Sequence, residues 1–185
     1  MLKLSAKSAF EGLLPKQIGS VSIKEYAVDY LTLIDWPAGR KDDVSSELEK
    51  IHDITLPVPN RISGRTGNCC LWFGNHYLLM GRKPGPELAN VARLTDVSDG
   101  YGILHAEGDE IEAVLARLIP INLCKSVFKR DHTAKTLVQH MQASVTRISE
   151  SAFQIIVSRS MARTLVHDLE RAMGSVAFRA SLQIE

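Results

Sequence analysis

Apolar positions along this chain recur alternately every second residue and every third or fourth, and the changes of period mark the elements. Val21, Ile23, Val28, Tyr30, Thr32 and Ile34, interrupted by Glu25, form an imperfect alternation rich in β-branched side chains, which predicts one or two strands over residues 20–34. Trp36-Pro37-Ala38-Gly39 stops them. Val44, Leu48 and Ile51 then fall at helical spacing, with Asp42 and Asp43 placed to meet the dipole of the first turn. The helix cannot continue through Pro57 and Pro59, which lack the amide donor and restrict the residues before them. Two apolar runs, residues 69–73 and 76–80, flank Gly74-Asn75 and predict a hairpin.

The same grammar returns after Lys83-Pro84-Gly85-Pro86. A strand is expected near residues 102–106, then a helix over 109–118 with Asp109 as N-cap, Glu112 three residues on, and Ile111, Val114, Leu115 and Leu118 on one face. Residues 136–148 read as one long strand, and Ser149-Glu150-Ser151 as the turn into a strand over 153–157. Met161, Leu165, Leu169, Ala172 and Met173 predict a helix over 159–173, ended by Gly174 in a left-handed cap and followed by a closing strand over 176–184. Ile103, Leu104, Ile111, Leu115, Ile155, Val157, Leu165 and Leu169 are expected in one core.

Strands joined by hairpins as well as by helical crossovers define an α+β fold of ferredoxin-like strand-helix-strand units with mostly antiparallel sheet. The expected organisation is a single compact unit over 1–185: an N-terminal arm (1–19), a first α+β half (20–82), a linker (83–93) and a second α+β half (94–185).

Composition narrows the function classes. The chain's 185 residues, 45% of them hydrophobic, suffice for a sizeable single core. Lys and Arg total 22 against 21 acidic residues, without a basic tract, which disfavours nucleic acid or an acidic membrane as partner. Lys3 and Lys7 interrupt the apolar residues of the amino terminus, so no signal-peptide core is expected, and no stretch is long enough to span a bilayer; a cytoplasmic location follows as the expectation. Cys69, Cys70 and Cys124 lack C-x-x-C spacing and read as reduced, buried thiols, with Cys69 and Cys70 on opposite faces of a strand.

A search for converging chemistry is largely negative. The chain has no G-x-S-x-G, H-E-x-x-H or P-loop string, and Gly100-Tyr101-Gly102 is followed by His105 where a dinucleotide fingerprint has its third glycine. His52, His76, His105, His132, His140 and His167 are scattered. Arg163 and His167 are four apart on one helix, the spacing of any solvated face, with no third group to orient the imidazole. Asp96 and Asp99 flank Val97-Ser98, where a turn-forming role suits Asp better than catalysis. No catalytic, cofactor-binding or metal-ligating residue is assigned.

The run from Leu94 through Asp96-Val97-Ser98, Ile103-Leu104, Gly108-Asp109 and Leu115 resembles the folate-binding aminomethyltransferase superfamily, and its order of strand, turn and helix implies that superfamily's architecture. Pro120-Ile121-Asn122-Leu123, Thr146-Arg147-Ile148 and Ala152-Phe153-Gln154-Ile155-Ile156-Val157-Ser158-Arg159-Ser160 are similar to the gamma subunit of heterotetrameric sarcosine oxidase; the likeness covers about half of the chain, residues 94–173. Superfamily members that act on folate place an acidic residue after an Asn, whereas Asn122 here is followed by Leu123, and the Gly-Cys-Tyr signature of the branch tied to iron–sulfur assembly is missing. The resemblance therefore implies a non-catalytic, cofactor-free gamma subunit. Its partners would be alpha, beta and delta subunits, chiefly alpha, whose folate-binding half it would brace. FAD, FMN, NAD and tetrahydrofolate would lie on the partners, in an assembly that demethylates sarcosine to glycine. The rival readings are a self-sufficient folate-binding aminomethyltransferase-like protein and a gamma-type subunit of a related N-methyl amino acid dehydrogenase.

Phe10, Leu13 and Leu14 on the arm have no obvious place in a sheet-and-helix layer. They are either anchors for a partner or a lid folded back on the chain's own core.

Overall fold

The computed structural model describes residues 6–65 and 67–182. Its strands are β1 (Lys16–Ile18), β2 (Val21–Glu25), β3 (Tyr30–Asp35), β4 (Ile62–Arg65), β5 (Asn68–Phe73), β6 (His76–Gly81), β7 (Arg93–Asp96), β8 (Tyr101–Gly108), β9 (Thr133–Val138), β10 (Met141–Ser149) and β11 (Ala152–Ser158). Its helices are α1 (Lys41–His52), α2 (Ile111–Leu115) and α3 (Ala162–Leu182). The strands form a six-stranded sheet, β1-β2-β8-β11-β10-β9, and a five-stranded sheet, β4-β5-β6-β3-β7. Every neighbouring pair is antiparallel. This is the expected α+β class.

The two sheets face each other and the helices cover their outer sides, a consequence of the strand period. In the five-stranded sheet, Ile34, Cys70, Tyr77 and Leu79 point to Val44 and Leu48 of α1. Their neighbours Leu31, Cys69, Leu71, Leu78 and Met80 point inward, where they meet Ile103 and Ile156 of the other sheet. On that sheet's far side, Leu104, Phe153, Ile155 and Val157 pack under Ile111 and Leu115 of α2 and Leu165, Leu169 and Met173 of α3. The predicted single core is thus divided: Ile103 lies between the sheets and the other seven residues lie under the helices, because adjacent Ile103 and Leu104 must point to opposite faces.

The sheets do not follow the halves of the sequence. β2 pairs with β8 and joins the six-stranded sheet, while β7 pairs with β3 and joins the five-stranded one. Residues 83–93, expected as a linker, contain a 3-10 turn at Leu88–Asn90 whose Leu88 is fully buried against the α1 cluster. The arm expected over 1–19 ends in β1.

Several local expectations fail for identifiable reasons. Residues 136–148 form a hairpin, not one strand: Gln139 takes a left-handed φ of 52° and donates its amide to the Leu118 carbonyl at 2.7 Å, a turn with no Gly or Pro to announce it. The helix expected over 109–118 is regular only across Ile111–Leu115 and tightens into i→i+3 bonds at Arg117 and Leu118. Asp109 is not its N-cap, since Glu110 holds that position without a side-chain bond, and Glu112 turns to Arg147. Gly174 does not end the last helix; α3 continues to Leu182 and replaces the closing strand expected over 176–184, of which 183–184 lie outside the described residues. Val176 extends the buried face, which outweighs a mid-helix glycine's cost of about 1 kcal/mol. Met161 precedes α3 in a 3-10 turn and is exposed rather than in the core.

Candidate functional site

Polar side chains enter the space between the sheets along β8, β11, β10 and β9: His105 and Gln154, and beside them the linked, fully buried hydroxyls of Thr146, Thr133 and Ser144. β8 and β11 are buried on both faces, so the period that sends Ile103 and Ile156 inward also sends in His105 and Gln154. These two are cross-strand partners; His105 Nε2 and Gln154 Oε1 lie 3.2 Å apart, and Gln154 Nε2 donates weakly to Met80 Sδ at 3.9 Å. Tyr26 stacks on the imidazole with ring centroids 4.2 Å apart and planes 11° from parallel. Burial pushes His105 below its ordinary pKa, so the ring is neutral at pH 7. A cavity of about 320 Å³ opens beside this pair, lined by Cys69, Met80 and Gln154, with Arg65, Arg130 and Asp131 at its mouth. The cavity offers the Gln154 amide and the sulfur groups of Cys69 and Met80, while Tyr26 and His105, stacked on each other, are not part of its lining. Its thiol is not a nucleophile at neutral pH: burial pushes Cys69 up to about 12. The sequence signal for this pair was a His and a Gln standing alone in apolar runs.

The segment that resembles the superfamily's folate-acting motif does structural work here. Asn122 Oδ1 accepts the Cys124 amide at 2.9 Å, closing a turn that points the Leu123 carbonyl inward to the guanidinium of Arg147. Arg147, 2% exposed, also donates to the Phe128 carbonyl at 2.6 Å, the Glu150 carbonyl at 2.7 Å and Glu112 Oε1 at 2.9 Å, and lies 4.3 Å from the Phe153 ring centroid. One side chain thereby ties α2, the loop from Leu123 to Phe128, and the β10–β11 turn together. Its one signal in the sequence is an Arg inside the run Ser144-Val145-Thr146-Arg147-Ile148.

The remaining candidates are structural or dispersed. Asp96 Oδ1 accepts both the amide and the hydroxyl of Ser98, at 3.0 and 2.6 Å, which holds its carboxyl below the ordinary range, and Ser98 in turn accepts the Leu31 amide at 3.0 Å. Cys69 and Cys70 fall into different clusters, as opposite faces of β5 require, whereas Cys124 is exposed and not a buried thiol. His167 is exposed on α3. His52 is buried, with neither ring nitrogen hydrogen-bonded among the described residues. Lys50, Arg65 and Arg82 surround a surface cleft beside it. Among the described residues no group of three or more His, Cys, Asp or Glu is placed to hold a metal.

Phe10 is fully buried in the six-stranded sheet's core. A β-carbon at Gly102 would stand 2.8 Å from its ring, so the second glycine of Gly100-Tyr101-Gly102 makes room for Phe10. Glu25 fastens the arm by accepting the Ser8 hydroxyl at 2.7 Å and the Phe10 amide at 3.4 Å, and Arg159 donates to the Lys7 carbonyl. Phe10 is therefore buried by its own chain, and Leu13 and Leu14 pack against the same core while keeping part of their surface. Residues 1–5 of the arm lie outside the described residues.

These layers define a class: two facing antiparallel sheets with helices on the outside and a small polar insertion between them. No protein-family model matches the chain, and neither does any curated protein. Among solved structures it is similar to a chain of the heterotetrameric sarcosine oxidase from Corynebacterium sp. U-96 in complex with pyrrole 2-carboxylate, with a TM-score of 0.79 and 20% identity. The match covers 93% of this chain and 96% of that one, so the two are of nearly equal length and share one fold from end to end.

Proposed function

We propose that this chain is a non-catalytic, gamma-type subunit of a heterotetrameric sarcosine oxidase. The observation that carries the reading is the reciprocal coverage: a chain of similar size in such an oxidase has this fold, with little left over on either side. Arg147 adds support from within, because the segment around Asn122 is used to bind that guanidinium and not to present a carboxylate. In the proposed assembly the partners are alpha, beta and delta subunits. Beta takes the amine and passes a hydride equivalent to FAD, FMN relays the electrons to oxygen, and alpha holds NAD and the tetrahydrofolate that captures the one-carbon unit. This chain braces the folate-binding half of alpha.

Co-expression of the tagged chain with the source organism's own alpha-, beta- and delta-type subunits tests the proposal. The expected result is a stoichiometric complex that releases hydrogen peroxide with sarcosine, while the chain purified alone is colourless and gives no heat with tetrahydrofolate. A tight folate site on the isolated chain would favour a self-sufficient aminomethyltransferase-like protein. A complex active on another N-methyl amino acid but not on sarcosine would move the chain to the related dehydrogenases.

A further inference from the structure

The inner face of the six-stranded sheet carries a row of polar side chains at one register. His105 on β8, Gln154 on β11, Thr146 on β10 and Thr133 on β9 are successive cross-strand partners and so share that face. The hydroxyls satisfy one another: Thr146 Oγ1 donates to Thr133 Oγ1 at 2.8 Å, and Thr133 Oγ1 lies 3.3 Å from Ser144 Oγ. Gln154, in the middle of the row, is only half satisfied. Its Oε1 has His105, but its amide nitrogen, which carries two N–H groups, reaches only the Met80 thioether at 3.9 Å among the described residues. The side chain is 3% exposed and lines the cavity of about 320 Å³ described above. A buried donor left with a weak acceptor costs free energy, which an apolar side chain like that of Ile156 on the same face does not.

The mouth of this cavity is cationic. Arg65 closes β4, and Arg130 stands in the loop before β9, so the two come from different sheets. The loop is pinned there: the Asp131 amide donates to the Arg147 carbonyl at 2.9 Å, and the Asp131 carbonyl accepts the Ile62 amide at 3.1 Å. Arg130 Nε lies 3.8 Å from the Asp131 carboxylate, whereas Arg65 enters no ion pair among the described residues. Two guanidiniums thus stand against one carboxylate. Ile62, Ile148 and Met80 make much of the remaining wall apolar.

We propose that this cavity binds a small carboxylic acid with an apolar body and a carbonyl oxygen at its far end, the carboxylate held at the mouth by Arg65 and Arg130 and the carbonyl accepting from Gln154 Nε2. An uncharged ligand would leave the arginines unanswered, and inorganic phosphate would leave the apolar wall uncovered. The volume lies near the lower end of the roughly 300–1,000 Å³ of small-molecule sites, which limits the body to a single ring or a short branched chain. This chain forms the whole site, so the proposal stands apart from the gamma-type reading.

The test is calorimetry on the full-length chain with three probes: cyclohexanecarboxylate carrying a ketone opposite the carboxylate, cyclohexanecarboxylate itself, and cyclohexanone. The keto acid should bind with a Kd of about 100 μM or tighter, and each of the other two about tenfold or more weakly. Gln154→Leu should abolish the preference for the keto acid over cyclohexanecarboxylate and keep that over cyclohexanone. Arg65→Gln combined with Arg130→Gln should do the reverse, and these exposed positions carry the test alone if Gln154→Leu does not fold. Such a crossed loss of two preferences is not what a general loss of folding gives. A Kd for the keto acid weaker than about 10 mM, or equal affinity for all three probes, overturns the proposal. So does binding that the arginine variant leaves within twofold of wild type. Tight tetrahydrofolate binding that the keto acid cannot displace would favour the aminomethyltransferase-like rival without touching this cavity, whereas tetrahydrofolate that does compete for it would make the cavity a pterin site and overturn the proposal.

Discussion

The two outer layers treat a buried polar group in opposite ways. Under α2, Arg147 is almost completely enclosed, and its donors reach three carbonyls and a carboxylate. At the end of α1, His52 is 3% exposed and neither ring nitrogen makes a close hydrogen bond among the described residues; Asn68 Nδ2 bonds the His52 carbonyl at 2.8 Å, and the Asn68 side chain raises the ring's pKa only in part against the lowering by burial. A satisfied buried charge fixes the elements around it, whereas an unsatisfied buried ring contributes packing and carries the cost of its lost water. The six-stranded layer should therefore be brittle at Arg147, and the five-stranded layer tolerant, or even improved, at His52.

The largest effect is expected at Arg147. Arg147→Met leaves Glu112 and the carbonyls of Leu123, Phe128 and Glu150 without their donor, and should lower unfolding free energy by about 3–5 kcal/mol in a urea titration. Arg147→Lys should recover little, since one ammonium cannot reproduce a planar fork aimed in several directions. A loss below about 1 kcal/mol would mean that the guanidinium is not what holds the loop from Leu123 to Phe128. Next, Leu169→Ala removes a fully buried side chain from the α3 face and should cost about 2–5 kcal/mol by the same measurement.

Much of this contrast was legible beforehand on its apolar side and little on its polar side. Period separated Cys69 from Cys70 and placed Leu165 and Leu169 on the buried face of α3, and the turn dipeptide Gly74-Asn75 located the hairpin. Period could not say that Ile103 and Leu104 serve two different cores, because a strand buried on both faces shows a continuous apolar run. The β9–β10 turn was illegible for a different reason: Gln139 reaches a left-handed conformation through its amide bond to Leu118, a contact across the fold and not a local preference. The pairings of Arg147 with Glu112 and of His105 with Gln154 join residues 35 and 49 apart, which no local window contains. Gly174 was misread because a glycine after an apolar stripe has the local signature of a cap.

A smaller effect should appear in the pH dependence. Burial lowers the pKa of His52 and of His105, so on acidification the unfolded chain takes up protons before the folded one does. Stability should be level above the ordinary histidine value of about 6.5, decline as pH falls from there toward the lowered folded values, and level off below them. Urea midpoints between pH 8 and pH 5 would show this. A stability that rises on acidification through this range would contradict neutral burial of both rings.

The smallest change, and the one that separates the layers most sharply, is expected from His52→Leu. The substitution keeps a side chain against α1's neighbours and removes two nitrogens that make no close hydrogen bond among the described residues, giving up only a weak interaction with the Asn68 side chain. Replacing an unsatisfied polar group by an apolar one of similar size is neutral to stabilising, here by up to about 1 kcal/mol, against the loss expected at Arg147. The variant should also flatten the decline in stability on acidification, since one of the three histidines with lowered pKa is gone; His105→Gln in the wild-type background removes a second, and the part that survives both belongs to His132. A destabilisation of His52→Leu by more than about 2 kcal/mol, the size of an unmade bond to a buried group, would show that the imidazole has a polar partner in solution, and the two layers would then treat their buried polar groups alike.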